Sequence, residues 1–206
     1  MKNFKKKIAG FSALLSIFFL LSLLTGCATS NSDESSSTSK EDIKTNYAIG
    51  DTGPSGVGIV FYVTNGGLHG LEAAPAGWNG SPADPASVWS NVDSIEIGAA
   101  SQGTAIGTGL ANSNAIISQS GHTSSAAKLC RDYKGGGKTD WFLPSKDEIF
   151  QINTQIAAVA GMTDNPYWCS TESDNRYGYS VNIIGNSAGD CAKYLNTNRI
   201  HPVRAF

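Results

Sequence analysis

Apolar positions along the chain fall into three regimes. Ile8–Leu24 is a nearly continuous apolar run, broken only by Gly10, Ser12, Ser16 and Ser22, whereas residues 28–47 (ATSNSDESSSTSKEDIKTNY) hold almost none. Past Tyr47 the pattern becomes that of a folded domain. Gly56–Thr64 (GVGIVFYVT) is β-branched and aromatic, Asn65-Gly66-Gly67 supplies a turn, and Leu68–Ala74 reads as a second strand, so a hairpin is predicted. Residues 75–122 show little periodicity beyond a short strand around Val88–Ser90 and a helix at Leu110–Ser120, as expected of a long ordered loop or a site. Ala126, Leu129, Cys130 and Tyr133 recur at helical spacing within Ser124–Tyr133. Ile149, Ile152, Ile156 and Val159 do the same within Ser145–Ala160, which opens on a Ser145…Glu148 capping box and closes at Gly161. Four strands should follow as a meander: Tyr167–Ser173, Arg176–Ile184, Asp190–Asn196 and Asn198–Phe206. Tyr177, Tyr179, Val181 and Ile183 alternate to one face, and Pro202 places the last strand at an edge or a bend. Hairpin, two helices, then sheet make an α+β domain.

The first regime reads as an address. Lys2, Lys5, Lys6 and Lys7 precede the apolar run, and Leu24-Thr25-Gly26-Cys27 follows it, matching the bacterial lipobox. Residues 1–26 are therefore expected to be a lipoprotein signal peptide. Cys27 is the expected site of lipidation, its sulfur carrying a diacylglyceryl group. Several acyl chains anchor a protein stably where one would not. Ala28 in place of Asp directs the chain toward outer-membrane or cell-surface display. Residues 27–47 form the lipidated Cys and a Ser/Thr-rich tether too poor in apolar groups to fold, and residues 48–206 form the domain.

Charge sharpens the partner classes. The 206-residue chain has a formal net charge of -2, but the four leading lysines account for much of its positive side; without them 11 of the 15 basic residues face 17 acidic ones. A nucleic-acid partner is excluded for want of a basic footprint. The chemistry-bearing motifs are equally spare. Lys134–Asp140 (KGGGKTD) lacks the leading glycine and following helix of a phosphate-binding loop, and His69, His122 and His201 are scattered without ligand spacing. No cofactor or metal is expected. Of the domain cysteines, Cys130 is expected to be a buried thiol on a helix face. Cys169 and Cys191 lie on expected strands of one sheet, where a disulfide is expected. Trp78 and Trp89, in the long loop, offer aromatic faces to sugar rings, and Arg176, Lys193 and Arg199 offer a local cationic patch to an anionic polymer.

Gly56–Pro75 (GVGIVFYVTNGGLHGLEAAP), Gly103–Gly109 (GTAIGTG), Thr139–Ile149 (TDWFLPSKDEI), Tyr167–Glu172 (YWCSTE) and Pro202–Phe206 (PVRAF) resemble, in collinear order, the Lcl C-terminal-domain family. The resemblance implies a C-type-lectin-like fold: two helices on twisted antiparallel sheet, with the first and last strands together. Within these blocks, Trp141, Leu143 and Trp168 read on physical grounds as core residues. The family's founding domain belongs to an adhesin that binds sulfated polysaccharides as a trimer, so a homo-oligomer is implied as well. The calcium-site motifs of sugar-binding lectins are missing here, and Ala205 stands where many relatives carry Cys. Anchor, tether and fold together suggest a non-enzymatic, lipid-anchored surface or periplasmic protein binding an extracellular glycan or protein in an adhesion-type role. Two alternatives stand beside it: an oxidase of the formylglycine-generating branch, and a purely structural envelope component.

Overall fold

A computed structural model of the chain describes residues 46–152 and 154–206. The expected signal peptide, Cys27 and the tether as far as residue 45 lie outside the described residues. No helix among the described residues is long and apolar enough to cross a membrane.

The domain is mixed α+β, with two small antiparallel sheets. Strands β1 (Ile59–Thr64) and β2 (His69–Ala73) form the expected hairpin across Asn65–Gly67. The turn needs left-handed backbone at three successive positions, Asn65 (φ 49), Gly66 (φ 66) and Gly67 (φ 89), which Asn-Gly-Gly supplies at low steric cost. A bulge between Val60 and Tyr62 breaks the alternation of β1, so the consecutive residues Val60 and Phe61 are both buried. Strand β6 (Val203–Ala205) adds to the other side of β2, giving the order β1-β2-β6.

The second sheet runs β3 (Pro166–Glu172), β4 (Tyr177–Asn182) and β5 (Ser187–Ala192), in that order. The meander is thus three strands long. Its expected fourth member crosses to the hairpin sheet instead, where Phe206 and Gly70 exchange backbone hydrogen bonds at 3.0 Å in both directions. Before the crossing, Arg199 pairs in parallel with Tyr167 and covers the outer edge of β3.

Strand β3 divides the interior. Tyr167 and Cys169 point into one core, with Phe61, Phe142, Ile149, Ile152, Ile156 and Val203; Trp168 points into another, with Trp89, Ile116, Cys130, Leu143 and Ile200. A strand buried on both faces should read as continuously apolar. Ser170 and Thr171 instead spend their polarity on neighbouring segments: Ser170 Oγ accepts Asn112 Nδ2 at 3.3 Å, its backbone N–H donates to Pro144 O at 2.8 Å, and the Thr171 hydroxyl donates to Gly103 O at 2.8 Å.

Among the described residues, four α-helices pack around the sheets: α1 (Gly109–Ile117), α2 (Ala126–Asp132), α3 (Lys146–Phe150) and α4 (Thr154–Val159). The predicted capping box opens α3, where Ser145 Oγ accepts the Glu148 amide and Glu148 Oε2 accepts the Ser145 amide at 2.7 Å. The other Glu148 oxygen accepts Gly107 N–H at 2.8 Å and Gly109 N–H at 3.4 Å, tying the GTAIGTG loop to the same cap. Burial nevertheless pushes this carboxyl above its ordinary range, against the lowering effect of those hydrogen bonds.

Three expectations about helix faces need correction. The single helix expected over Ser145–Ala160 is two short ones, because i→i−3 bonds at Gln151 and Ile152 tighten and end the first. The phase restarts, so α4 and the turn after it bury Ile156, Ala157 and Ala160 and leave Val159 62% exposed. In α2 the buried face is Ala126, Ala127 and Cys130, and Leu129 is turned outward.

The expected Cys169–Cys191 disulfide does not form; Cys130, Cys169 and Cys191 are all free thiols. Cys169 is on β3 and Cys191 on β5, with β4 between them. Two strand spacings of about 4.8 Å put their backbones roughly 10 Å apart, beyond the reach of about 7 Å that a disulfide allows. Desolvation pushes both Cys130 and Cys169 well above the ordinary thiol range, with the Asp84 charge adding to the effect at Cys130. Alkylation of the native protein without reductant, followed by intact mass, should therefore modify the half-buried Cys191 first. Cys130 and Cys169 should react only after denaturant is added.

Candidate functional site

Buried polar side chains locate the site better than the motifs do. Glu172, at the end of β3, and Lys193, just past β5, are both fully buried and meet at 2.6 Å. The Glu172 carboxylate also accepts the backbone N–H groups of Ile97, at 3.0 Å, and Gly98, at 2.8 Å. The ammonium donates further to Asn175 O at 3.2 Å and Ile95 O at 3.5 Å, and it lies 4.8 Å from the centre of the Trp89 ring. A buried ion pair is tolerated when its remaining donors and lone pairs are satisfied, as these are. The pair therefore ties four segments together: the end of β3, the β3–β4 turn, the loop at Ile95–Gly98 and the exit of β5.

Trp89 is the platform beneath it. The indole N–H donates to Cys169 O at 2.8 Å, and its amide donates to Lys193 O at 2.9 Å. A Cβ at position 178 would come within 2.8 Å of the indole nitrogen, so glycine on β4 is what admits the ring. The adjoining hairpin tip is fixed by Asp174, whose Oδ1 accepts the amides of Arg176 at 2.7 Å and Tyr177 at 2.8 Å.

This framework holds open a cleft of about 360 Å³ lined by Asp93, Ser94, Arg176, Tyr177, Ala192 and Tyr194. Tyr177 is 40% and Tyr194 62% exposed. Among the described residues, the Arg176 guanidinium and the Asp93 carboxylate have no hydrogen-bond or ion-pair partner. Two tyrosine faces, a guanidinium fork and a carboxylate acceptor thus share one open concavity. Those groups can stack on C–H surfaces and exchange hydrogen bonds with hydroxyls. The volume lies near the lower end of the range of about 300–1,000 Å³ usual for ligand pockets.

Of the expected binding residues, only Arg176 lines this cleft. Trp89 and Lys193 are 0% exposed and serve the interior, so neither presents a surface to a ligand. Trp78 is half-buried elsewhere, its indole N–H donating to Asp84 Oδ1 at 2.7 Å and its ring edge-on to Tyr133 and His201. Arg199 donates to Asp84 O at 2.7 Å and is also half-buried. His201 completes that cluster, with Nδ1 at 2.9 Å from Asp84 Oδ2 and Nε2 at 2.9 Å from Ala74 O, so the group pins the long loop to the domain. The residues that sequence reasoning missed are Tyr177, Tyr194 and Asp93. Tyr177 could have been found as the outermost residue of an alternating strand whose other end is buried. Cys169 and Cys191, free but on separated strands, do not form a thiol pair. Among the described residues no group of three or more His, Cys, Asp or Glu side chains is placed to hold a metal ion.

No family model matches the chain, and no curated protein matches it.

Two predictions test this framework. Lys193→Met or Glu172→Gln, each stranding one buried partner, should cost about 3–5 kcal/mol in denaturant unfolding, and the double variant should cost less than the sum of the two. Burial first, then the Asp84 charge, push the Tyr167 phenol from 10.0 up to about 12, while its hydrogen bond from Thr163 N–H opposes the rise. Folding thus favours the protonated phenol. Its stabilising contribution is whole below pH 10 and is lost as pH rises toward 12. Burial, then the Glu72 charge, also raise the Tyr133 phenol. Tyrosinate absorbance of the folded protein should therefore show a late-titrating component that Tyr167→Phe diminishes and does not abolish.

Proposed function

We propose that this is a lipid-anchored envelope protein, held through Cys27 and displayed on its tether, whose domain binds a glycan without chemically transforming it. One observation carries the reading: the exposed Tyr177 and Tyr194 line one open cleft with Arg176 and Asp93, whose charged groups have no partner among the described residues. Aromatic faces beside an unspent donor and an unspent acceptor suit a polyhydroxylated ring, with its apolar C–H face and its hydroxyl rim.

The lectin-like reading of the fold gains support from the strand order. The N-terminal hairpin and the last strand share one sheet, and Tyr47 stacks edge-on against the terminal Phe206 at 5.2 Å, so the ends of the domain lie together. The binding face proposed on Trp78, Trp89, Lys193 and Arg199 gives way to the cleft, with Arg176 common to both.

A glycan array probed with the full chain in detergent should show retention that Tyr177→Ala, Tyr194→Ala and Arg176→Ala each abolish while leaving the Tm unchanged. Trp78→Ala should do the opposite, lowering the Tm and sparing retention. Retention that survives all three cleft substitutions would remove the cleft from the proposal.

A further inference from the structure

One buried titratable cluster plays no part in the cleft. At its centre is His201, two residues before β6 and 1% exposed. Its Nδ1 lies 2.9 Å from Asp84 Oδ2 and its Nε2 lies 2.9 Å from Ala74 O. A carboxylate and a backbone carbonyl both accept, whereas a neutral imidazole carries one N–H and one lone pair. It can satisfy only one of them. Turning the ring over would replace both nitrogens by carbons and leave both oxygens unmet. Both nitrogens therefore donate, and the ring is an imidazolium.

The surroundings fit that charge. Asp84 Oδ1 accepts the Trp78 indole N–H at 2.7 Å, and the Tyr167 hydroxyl donates to the same carboxylate. An acceptor-only carboxylate serves all three donors, and an imidazolium beside it leaves the buried pair with no net charge. The other titratable groups around the pair are Tyr167 on β3 and Cys130 on α2, both raised by burial first and then by the Asp84 charge. Tyr133, past α2, is reached through the Trp78 ring. The Arg199 guanidinium donates to Asp84 O at 2.7 Å, and on the adjoining strands Glu72 and Arg204 pair with each other at 2.8 Å.

The pair joins two distant stretches of chain, the long loop at Asp84 and the approach to β6. Beside it run two backbone hydrogen bonds, Ile200 N–H to Pro85 O at 3.1 Å and Ser87 N–H to Asn198 O at 3.2 Å. The cleft end of the same loop is held separately, by Glu172 on the amides of Ile97 and Gly98.

We propose that His201 and Asp84 form a proton-dependent latch: the imidazolium holds residues 78–87 against the approach to β6, and loss of its proton at alkaline pH releases that segment while the cleft end of the loop stays in place. Deprotonation leaves a nitrogen lone pair facing an acceptor oxygen, and a buried acid without its counter-charge. The contribution of the latch is present below the ordinary histidine value of about 6.5, and it is lost as pH rises and the folded pair gives up the proton.

Proton–nitrogen correlation spectra of the full chain in detergent, isotope-labelled at histidine, test this at about pH 7.5, above the ordinary histidine range. One ring should show both nitrogens protonated, and His201→Gln should remove that signal. As pH is raised, its loss should coincide with a rise of about tenfold or more in hydrogen exchange at the Ser87 and Ile200 amides, corrected for intrinsic rates, while Ile97 and Gly98 stay protected. Asp84→Asn supplies an amide that donates to Nδ1 while Nε2 still donates to Ala74 O. The ring should then be neutral, and exchange at Ser87 and Ile200 should no longer respond to its titration. Absence of a doubly protonated ring in the unaltered chain overturns the proposal. So does level exchange at Ser87 and Ile200 while the ring titrates, or a ring that keeps both protons until Ile97 and Gly98 open as well. An alkaline opening that persists in Asp84→Asn overturns the assignment of the latch to this pair.

Discussion

The meeting of Glu172 and Lys193 is the constraint on which the surface of this domain depends. Taking two opposite charges out of water is costly, and the cost is offset only if nearly every donor and lone pair finds a partner. Here the partners are backbone groups of the loops, so satisfying the charges fixes the loops. The amides of Ile97 and Gly98 point at a carboxylate, and the carbonyls of Ile95 and Asn175 point at an ammonium. Irregular chain that would otherwise fray becomes one wall of the cleft. The apolar counterpart is Trp89, which offers the ammonium an aromatic face and is itself admitted by the missing side chain at Gly178.

Strand β3 relates this constraint to the rest of the molecule. With an aromatic core on each side, it cannot move without disturbing both, so Glu172 at its end is held as firmly as the interior. The polar residues within β3 serve the same end, binding the loop before α1 and the start of α3. Rigid strands thus set the floor and one edge of the cleft, while tyrosines at the strand ends supply the exposed faces.

What was legible in the sequence is what short-range chemistry decides. Asn65-Gly66-Gly67 announces its turn because it tolerates left-handed backbone, and Ser145…Glu148 announces its cap because both partners lie within one helical turn. Burial of a lysine is a different matter. Lys193 meets an acid 21 residues away, and no local pattern separates it from the solvated lysines around it. The same limit misplaced Cys169 and Cys191, which share a sheet but not adjacent strands. The strand pattern by itself misplaced the last strand as well, since membership of one sheet or the other is settled by long-range pairing with β2; only the family resemblance set the first and last strands together. The isoleucine spacing did identify the buried residues of α3 and the turn after it. It could not reveal that the helix breaks and resumes with a new phase, which is why Val159 was assigned to the wrong side. Trp89 was legible as an important aromatic but not as an interior one, because its burial depends on a glycine some ninety positions on (residue 178).

The chain enters the domain at Tyr47, whose amide donates to Gly67 O at 2.9 Å and whose backbone leaves room for no side chain at position 67. That point of attachment belongs to the hairpin sheet, and the cleft belongs to the other. Tension between a tethered end and a held ligand would therefore run through the whole domain rather than around it. The load would pass from the hairpin through β6 to Phe142, which exchanges backbone hydrogen bonds with Val203 at 2.8 and 3.0 Å, and on through Pro144 to β3. Each of those junctions is a backbone hydrogen bond flanked by close-packed aromatic and aliphatic side chains. The domain would resist pulling as a series of short shear joints, and the weakest of them would set its mechanical strength.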